Sequence, residues 1–174
     1  MKKPAKRIEI PPRDSDNVKR KLHDAPAPEI IEHLAEHARY KGYSKHKRNP
    51  RAFKLPPYEK ERGDATLCDE HAGFNPRQMD SIEEILKRGI RAGLVGSTWA
   101  GEVPKLLWCI GNDGWIFEAR LTNEAIAEYH GYPVRPSEAI ARAVYQRYAA
   151  WAHSKHGNTE DRQVAAMCKD LYGI

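Results

Sequence analysis

A β-hairpin pattern in residues 106–121 constrains the fold of this chain more than any other feature. An apolar run, LLWCI (106–110), precedes the turn letters GNDG, and the alternating run WIFEARL (115–121) follows them. Two such runs around an NDG turn predict an antiparallel hairpin. The first strand is apolar throughout, which indicates a central place in a sheet. The alternation of the second strand places Glu118 and Arg120 together on the face away from the core.

Helical periodicity predicts helices on both sides of this hairpin. The expected helices span about residues 28–42, 75–93, 137–153 and 159–172. The second helix has the clearest start, because Asn75 is a good N-cap and Gln78 completes a capping box. The expected class is α+β, a small antiparallel sheet with the hairpin at its centre, framed by helices.

The domain organisation follows from composition along the chain. Residues 1–26 mix charge and proline with few large apolar groups, which predicts a flexible basic arm. Residues 27–174 are long enough for a single domain, and the helices at 137–172 are an expected partner-binding appendage. Residues 42–75 are expected to form a long ordered loop or two short elements. The segment 132–134 is expected to lie in a turn.

The net charge of +5 is unevenly distributed. Residues 1–62 carry 17 Lys and Arg against 9 Asp and Glu, whereas residues 63–174 carry 12 against 15. A basic face on a nearly neutral body favours binding of a polyanion. No apolar run approaches the roughly 18 residues of a membrane span, and three cysteines without paired spacing do not indicate a disulfide framework. These features predict a cytoplasmic protein.

Residues 39–54 form the basic segment, RYKGYSKHKRNPRAFK, with seven Lys or Arg, three aromatic residues and no acid. Interleaved cations and rings suit a nucleic acid, since phosphates neutralise the charges and bases stack on the rings. The alternative is a solvated loop. The expected nucleic-acid contacts are Arg39, Lys41, Tyr43, Lys45, Lys47, Arg48, Arg51 and Lys54.

Metal-free RNA cleavage needs a base for the ribose 2′-OH, an acid for the leaving 5′-oxygen and a cation for the phosphate. His46 lies among cations that lower its pKa, which favours the neutral imidazole and the role of base. For Glu118 and Arg120 the alternative is a solvent-facing ion pair. The candidate catalytic residues are Lys45, His46, His71, Glu118, Arg120 and His130.

Two patterns raise the alternative of a metal site. His33 to His37 match H-x-x-E-H, but on the polar face of a short helix and without a third ligand. Cys68-x-x-His71 is half of a zinc site without a clear second half. The glycine-rich signatures of nucleotide binding and the G-x-S-x-G elbow are absent from the sequence. We therefore expect neither a metal nor a cofactor.

The order of a leading helix, a basic histidine-bearing segment, another helix and a small antiparallel sheet resembles the barnase/EndoU/colicin/RelE-like superfamily of metal-independent ribonucleases, many of them bacterial toxins. The similarity is carried by SIEEILKRGIRAGLVG and LLWCIGNDGWIFEARLTN and covers at most residues 28–135. It implies an endoribonuclease of toxin or defence type, acting on RNA rather than DNA, with an antitoxin or inhibitor as protein partner. It also suggests catalytic use of Lys45, His46, His71, Glu118 or Arg120. The alternative function is a non-catalytic DNA- or RNA-binding regulator or protein-interaction module.

Overall fold

The structure, a computed structural model, describes residues 20–24 and 26–174 and confirms the predicted α+β class. The α-helices span Pro28–His37 (α1), Cys68–His71 (α2), Ile82–Arg91 (α3), Ala139–Ala152 (α4) and Thr159–Tyr172 (α5). The β-strands span Arg39–Tyr40 (β1), Trp99–Ala100 (β2), Val103–Pro104 (β3), Leu106–Ile110 (β4), Ile116–Asn123 (β5) and Glu128–Pro133 (β6). The predicted flexible arm falls largely outside the described residues.

The main sheet has the strand order β1-β6-β5-β4, and the predicted hairpin forms its β4–β5 half. The prediction that β4 is central is wrong, because β4 lies at the end of this order and its other side makes only an isolated bridge, between Leu107 and Val95. Strands β4, β5 and β6 are antiparallel, whereas the short β1 runs parallel to β6. The prediction that α1 continues to about Gly42 is therefore wrong, because Arg39 and Tyr40 pair with β6 instead. Strands β2 and β3 form a separate two-stranded sheet.

Strand β6 replaces the turn that the sequence predicts at residues 132–134. Tyr132 lies opposite Glu118 and Pro133 lies opposite Phe117 in β5. Proline is tolerated here because β1 pairs only with the other end of β6, so this end is an edge where a missing N–H leaves no partner unsatisfied. The pairing with β5 thus overrides the local turn signal.

Helices cover both faces of the sheet. On one face, α1 and α3 pack on Leu107, Ala119 and Tyr129. On the other face, α4 and α5 pack on Trp108 and Ile116. The α4 and α5 helices, expected as an appendage, are thus a layer of the core, and whether their outer surface binds a partner stays a prediction. No helix among the described residues is both long and apolar enough to span a bilayer.

The start of α3 confirms the predicted capping box. Asn75 accepts a hydrogen bond from the N–H of Arg77 (3.0 Å), and the Asn75 N–H donates to Gln78 (2.8 Å). A 3₁₀ turn, Pro76–Ser81, leads into the α-helix. The cap therefore fixes the start of the 3₁₀ turn, and the α-helix itself begins only at Ile82, later than the predicted start at residue 75.

Gly89 lets α3 approach β4 closely. A Cβ atom at this position would lie 2.3 Å from the carbonyl oxygen of Trp108 and 2.9 Å from the Cα of Cys109. We expect Gly89→Ala to lower the free energy of unfolding by about 1 to 3 kcal/mol through overpacking. This cost outweighs the gain of about 1 kcal/mol that alanine brings to a helix. Urea denaturation measures the change.

The control for Gly89→Ala is Ala166→Gly at an exposed position of α5. This change alters helix propensity without altering contact with the sheet, so we expect a loss of about 1 kcal/mol. A Gly89→Ala protein as stable as the wild type would contradict the close approach of α3 to β4.

Candidate active site

The sheet face that carries Glu118 and Arg120 also carries a pair of stacked histidines. His46, from the basic segment, lies 5.5 Å from His130 between ring centroids, with 16° between the planes. It also stacks on Tyr132 at 4.7 Å. His130 and Tyr132 are two residues apart on β6 and lie opposite Arg120 and Glu118 on β5, so all four share one face. The fold therefore brings together four of the predicted candidates, His46, Glu118, Arg120 and His130.

A short 3₁₀ turn, Ser44–His46, holds His46 over the sheet. The Ser44 hydroxyl donates to the carbonyl of Pro56 (2.6 Å), which closes the loop behind the turn. His46 Nδ1 lies 3.1 Å from the carbonyl oxygen of Thr66. A carbonyl only accepts, so Nδ1 carries the proton and donates, and Nε2 keeps its lone pair in the neutral ring. His46 thus presents a basic nitrogen in a fixed orientation.

Burial sets the protonation state of both histidines. It lowers the pKa of His46 to about 4, against the hydrogen bond to Thr66, and the charges of His130, Lys47 and Lys45 lower it further. It also lowers the pKa of His130 to about 4, with additional contributions from Arg120, Lys47 and Lys45. The sequence predicted a lowered pKa for His46, and the pKa is lowered. Burial, however, lowers it more than the neighbouring cations do. Both rings are neutral near pH 7 in the free protein.

These lowered pKa values make stability depend on pH. In the unfolded chain the two imidazoles protonate near 6.5, and in the folded protein near 4. The unfolded state binds more protons between these values, so we expect the free energy of unfolding to fall as the pH drops from 6.5 to 4. For the buried His46 the full effect is about 3 kcal/mol. Urea denaturation at several pH values measures the slope.

His46→Gln isolates this contribution from that of the carboxylates. We expect the variant to lose part of the pH slope, whereas His156→Gln, at an exposed position, keeps the slope of the wild type. Equal slopes in wild type and His46→Gln would show that the folded His46 titrates as it does in the unfolded chain.

Glu118 lies beneath this pair and is fully buried, with 0% of its surface exposed. Its carboxylate accepts hydrogen bonds from the Tyr132 hydroxyl, from Trp108 Nε1 (3.1 Å) and from Arg20 Nε (2.6 Å). Arg120 lies 3.6 Å away. The expectation of a solvent-facing Glu118 is therefore wrong, because its oxygens are buried and accept hydrogen bonds from these three side chains. Its catalytic role stays a prediction. Glu118 holds the ring on which His46 stacks.

Lys47 corrects the prediction for the basic segment. The side chain is fully buried, with its ammonium 5.2 Å from the ring centroid of Phe53 and 5.5 Å from that of Phe74, beside the Cys68 thiol. It makes no hydrogen bond of ordinary geometry with a described residue. Lys47 therefore does not contact phosphate and acts as a buried cation next to His46. The sequence does not show this difference, because Lys45 and Lys47 lie two residues apart in the same basic run.

The other cations of the segment remain on the surface. Arg39, Lys41, Arg48, Arg51 and Lys54 are exposed and Lys45 is half-buried. Arg48 forms an exposed ion pair with Glu70 (2.9 Å), and the Arg48 N–H donates to the Asp69 carboxylate. The charge of Arg48 is thus partly neutralised, so fewer cations are available on this surface than the sequence suggests.

Tyr43 lies at the mouth of the site. Its side chain is 41% exposed, and its ring meets His130 edge-on at 5.0 Å, His46 at 5.8 Å and Tyr58 at 6.2 Å. An exposed ring beside the two histidines is available to stack on a nucleobase. The placement agrees with the predicted role of Tyr43 and adds Tyr58, which the sequence did not indicate.

His71 is not part of this cluster. Its Nδ1 accepts a hydrogen bond from the N–H of Leu67 (2.8 Å) and so caps α2, and no ring contact joins it to His46 or His130. The described residues contain no group of three or more His, Cys, Asp or Glu placed to hold a metal ion. The rings of His33 and His37 lie 4.3 Å apart on the exposed face of α1.

Comparison with known proteins identifies no relative. No family model matches the chain, and neither the curated proteins nor the solved structures compared with it give a match. The function is therefore argued from the geometry and chemistry of the described residues.

Proposed function

We propose that this protein is a metal-independent endoribonuclease whose active centre is the His46–His130 pair. The observation that carries the proposal is the stacking of two neutral imidazoles beside the cations Arg120 and Lys45 at an exposed tyrosine. Proton transfer at both ends of a phosphodiester and stabilisation of its charge are what RNA cleavage requires. The ring separation of 5.5 Å lets both imidazoles reach one phosphate group.

His46 acts as the general base. Its Nδ1–H is held by the Thr66 carbonyl, so Nε2 accepts the proton of the ribose 2′-OH. The 2′-oxygen forms a bond to phosphorus as this proton leaves. The lowered pKa keeps the ring neutral, and therefore able to accept a proton, down to about pH 4, and it also makes the imidazole a weaker base than an ordinary histidine.

His130 acts as the general acid. Its Nδ1 is buried without a hydrogen-bond partner among the described residues, which leaves Nε2 as the nitrogen that reaches a ligand. Burial is the largest cause of the lowered pKa of His130, followed by the charges of Arg120, Lys47 and Lys45. The negative charge of a bound phosphate acts against these causes and raises the pKa, so the ring protonates in the complex. It then donates to the 5′-oxygen as the bond from phosphorus to that oxygen breaks. The products are a 2′,3′-cyclic phosphate and a 5′-hydroxyl.

Arg120 and Lys45 stabilise the phosphate charge in this scheme. Arg120 lies opposite His130 in the sheet, with its guanidinium 5.9 Å from the Tyr132 ring and its side chain half exposed. Lys45 is close enough to both histidines to lower their pKa values. Tyr43 stacks on an unpaired base, which favours single-stranded RNA because the bases of a duplex are already stacked.

Incubation with single-stranded RNA, duplex RNA and DNA in the presence of EDTA tests the proposal. We expect only RNA, and preferentially the single strand, to be cleaved, with cyclic phosphate and 5′-hydroxyl ends. RNA with 2′-O-methyl groups should bind and stay intact, because it lacks the attacking hydroxyl. Binding of ordinary RNA without cleavage would overturn the ribonuclease and favour the nucleic-acid-binding regulator.

A toxin or defence role and a cytoplasmic site of action are part of the same proposal and rest on the resemblance to toxin ribonucleases. Expression in growing bacteria should arrest growth in the wild type and not in His46→Ala. A protein inhibitor is expected to relieve the arrest by covering the mouth of the site around Tyr43. Growth arrest that persists in His46→Ala would separate toxicity from this site.

A further inference from the structure

The short segment 20–24 is attached to the domain rather than free. The Ser97 N–H donates to the carbonyl of Lys21 (2.8 Å), and the His23 N–H donates to the carbonyl of Val95 (2.7 Å). The side chain of Leu22 is buried in the core. These contacts place Arg20 where its side chain reaches Glu118 on β5. The prediction of a flexible arm is therefore wrong for residues 20–24.

We infer that Arg20 is a positioning residue of the histidine site. Arg20 Nε donates to Glu118 (2.6 Å), Glu118 accepts from the Tyr132 hydroxyl, and His46 stacks on the Tyr132 ring at 4.7 Å. A chain of three contacts thus joins the N-terminal segment to the general base. The inference rests on the proposed ribonuclease for its role in catalysis, and on geometry alone for its effect on His46.

Burial of Glu118 makes Arg20 necessary. Without it, the fully buried carboxylate would keep one cation among the residues that the structure describes, Arg120, whose side chain is 51% exposed and 3.6 Å away. An uncompensated buried charge is costly, so the carboxylate would draw in water or turn toward solvent. Tyr132 would then lose its acceptor, and the ring beneath His46 would shift.

The second contact of Arg20 fixes its own position. Arg20 Nη1 donates a hydrogen bond to the carboxylate of Glu138 (2.5 Å), the residue before α4. The same carboxylate accepts a hydrogen bond from the backbone N–H of Arg135 (2.9 Å). Burial opposes the charge of Arg20, but the carboxylates of Glu118 and Glu138 outweigh it and raise the pKa of the guanidinium. The planar guanidinium group of an arginine presents several N–H donors in fixed directions and so bonds to both carboxylates at once. The compact ammonium group of a lysine does not have this geometry.

Arg20→Met tests the inference because methionine keeps a long unbranched side chain and removes the positive charge. We expect kcat to fall at least about tenfold with little change in KM, since a displacement of the order of 1 Å costs about 100-fold in rate. Arg20→Lys should recover part of the loss by restoring the charge. Arg20→Met combined with Glu118→Gln should also recover part, because no uncompensated carboxylate remains.

The matched control is Arg91→Met. Arg91 also pairs with a glutamate, Glu32, at 3.8 Å, but both side chains are exposed, so we expect unchanged kcat and KM. Circular dichroism verifies folding of every variant. If Arg20→Met, Arg20→Lys and the double variant all fail to fold while Arg91→Met folds, Arg20 is a structural residue only and the inference is wrong.

A proton NMR titration of His46 gives a readout that needs no turnover. The groups that face His46 are Tyr43, Lys45 and Lys47 on its own segment, the Thr66 carbonyl, and His130 and Tyr132 on β6. We expect its pKa to rise in Arg20→Met, because the Tyr132 ring on which His46 stacks then shifts and shields the imidazole less from water, and burial is the largest cause of the lowered pKa. The pKa should not move in Arg91→Met.

The test of the proposed ribonuclease and the test of Arg20 have outcomes that can be told apart. A wild type that does not cleave RNA overturns the proposed function, and the His46 titration then decides on Arg20 alone. A folded Arg20→Met protein with wild-type kcat and an unchanged His46 titration overturns the positioning role and leaves the ribonuclease intact.

Discussion

Replacing either histidine of the stacked pair by alanine is expected to lower kcat for RNA cleavage by about 10²- to 10⁴-fold, the usual contribution of a general acid or base. In the proposed mechanism His46 supplies the base, because its Nδ1–H is fixed on Thr66, and His130 supplies the acid when phosphate is bound. KM should change less than kcat, since binding depends on the surface cations and Tyr43. Initial rates on a short labelled RNA, with EDTA present, measure both parameters.

The pH dependence distinguishes this site from an ordinary histidine pair. In the proposed mechanism, the pKa of about 4 for the free His46 predicts that the acidic limb of kcat/KM falls near pH 4 rather than near 6.5, because the base must be neutral and kcat/KM reports the free enzyme. The pKa of about 4 for the free His130 predicts that kcat/KM declines above this pH, because the general acid then has to take up its proton when phosphate binds. The double variant His46→Ala with His130→Ala should be about as inactive as either single variant, because the two groups act in one step.

His153→Ala is the control, because this histidine is exposed at the end of α4. Its rate should equal that of the wild type. If His46→Ala or His130→Ala cleaves RNA at the wild-type rate while folded, the assigned proton transfers are wrong. Cleavage lost equally in His153→Ala would point to a change of fold or preparation rather than of chemistry.

The parts of the fold that the sequence predicted are those specified by local chemistry. The NDG turn brings β4 and β5 into register, with Trp108 opposite Glu118. The capping box at Asn75 satisfies backbone donors that any helix start leaves free, so helical backbone begins after Asn75 as predicted, although residues Pro76–Ser81 form a 3₁₀ turn and α3 begins at Ile82. The α5 helix begins after Asn158 with a second capping box and matches its predicted span of 159–172.

The parts that the sequence did not predict depend on contacts between distant residues. Strand β6 was hidden by Gly131 and Pro133, which are turn residues by propensity and strand residues only when β5 is adjacent. Without β6, nothing in the sequence placed His130 beside His46. Had 128–133 been assigned as a strand, its alternation would have placed His130 and Tyr132 on one face.

Burial explains the remaining differences at the site. Glu118 was placed correctly on the face with Arg120, but its partners, Arg20, Trp108 and Tyr132, come from three parts of the chain. The positions of charged residues along the sequence do not show which distant side chains meet Glu118 in the fold. For the same reason Lys47 cannot be told from its exposed neighbours, since the rings that enclose it are Phe53 and the distant Phe74.

The exposed cations of the basic segment should govern RNA affinity separately from the chemistry. We expect Lys41→Gln, Arg51→Gln and Lys54→Gln together to weaken binding of 2′-O-methyl RNA and to flatten its dependence on salt. None of the three forms an ion pair with a described residue, so each is available to a phosphate. Single-stranded nucleic acid gives a slope of about 0.7 per phosphate contact, so the triple change should reduce the slope of log K against log[salt] by about 2.

The matched control removes the same charge from another surface. Lys155, Arg162 and Lys169 are exposed after α4 and on α5, and their joint change to glutamine lowers the net charge equally. If affinity followed net charge alone, both triple variants would weaken binding to the same extent. A local phosphate track beside His46 predicts instead that only the first variant loses salt dependence, because screening confines each cation to contacts within about 10 Å. Equal slopes in both variants and the wild type would show that the basic segment does not bind RNA.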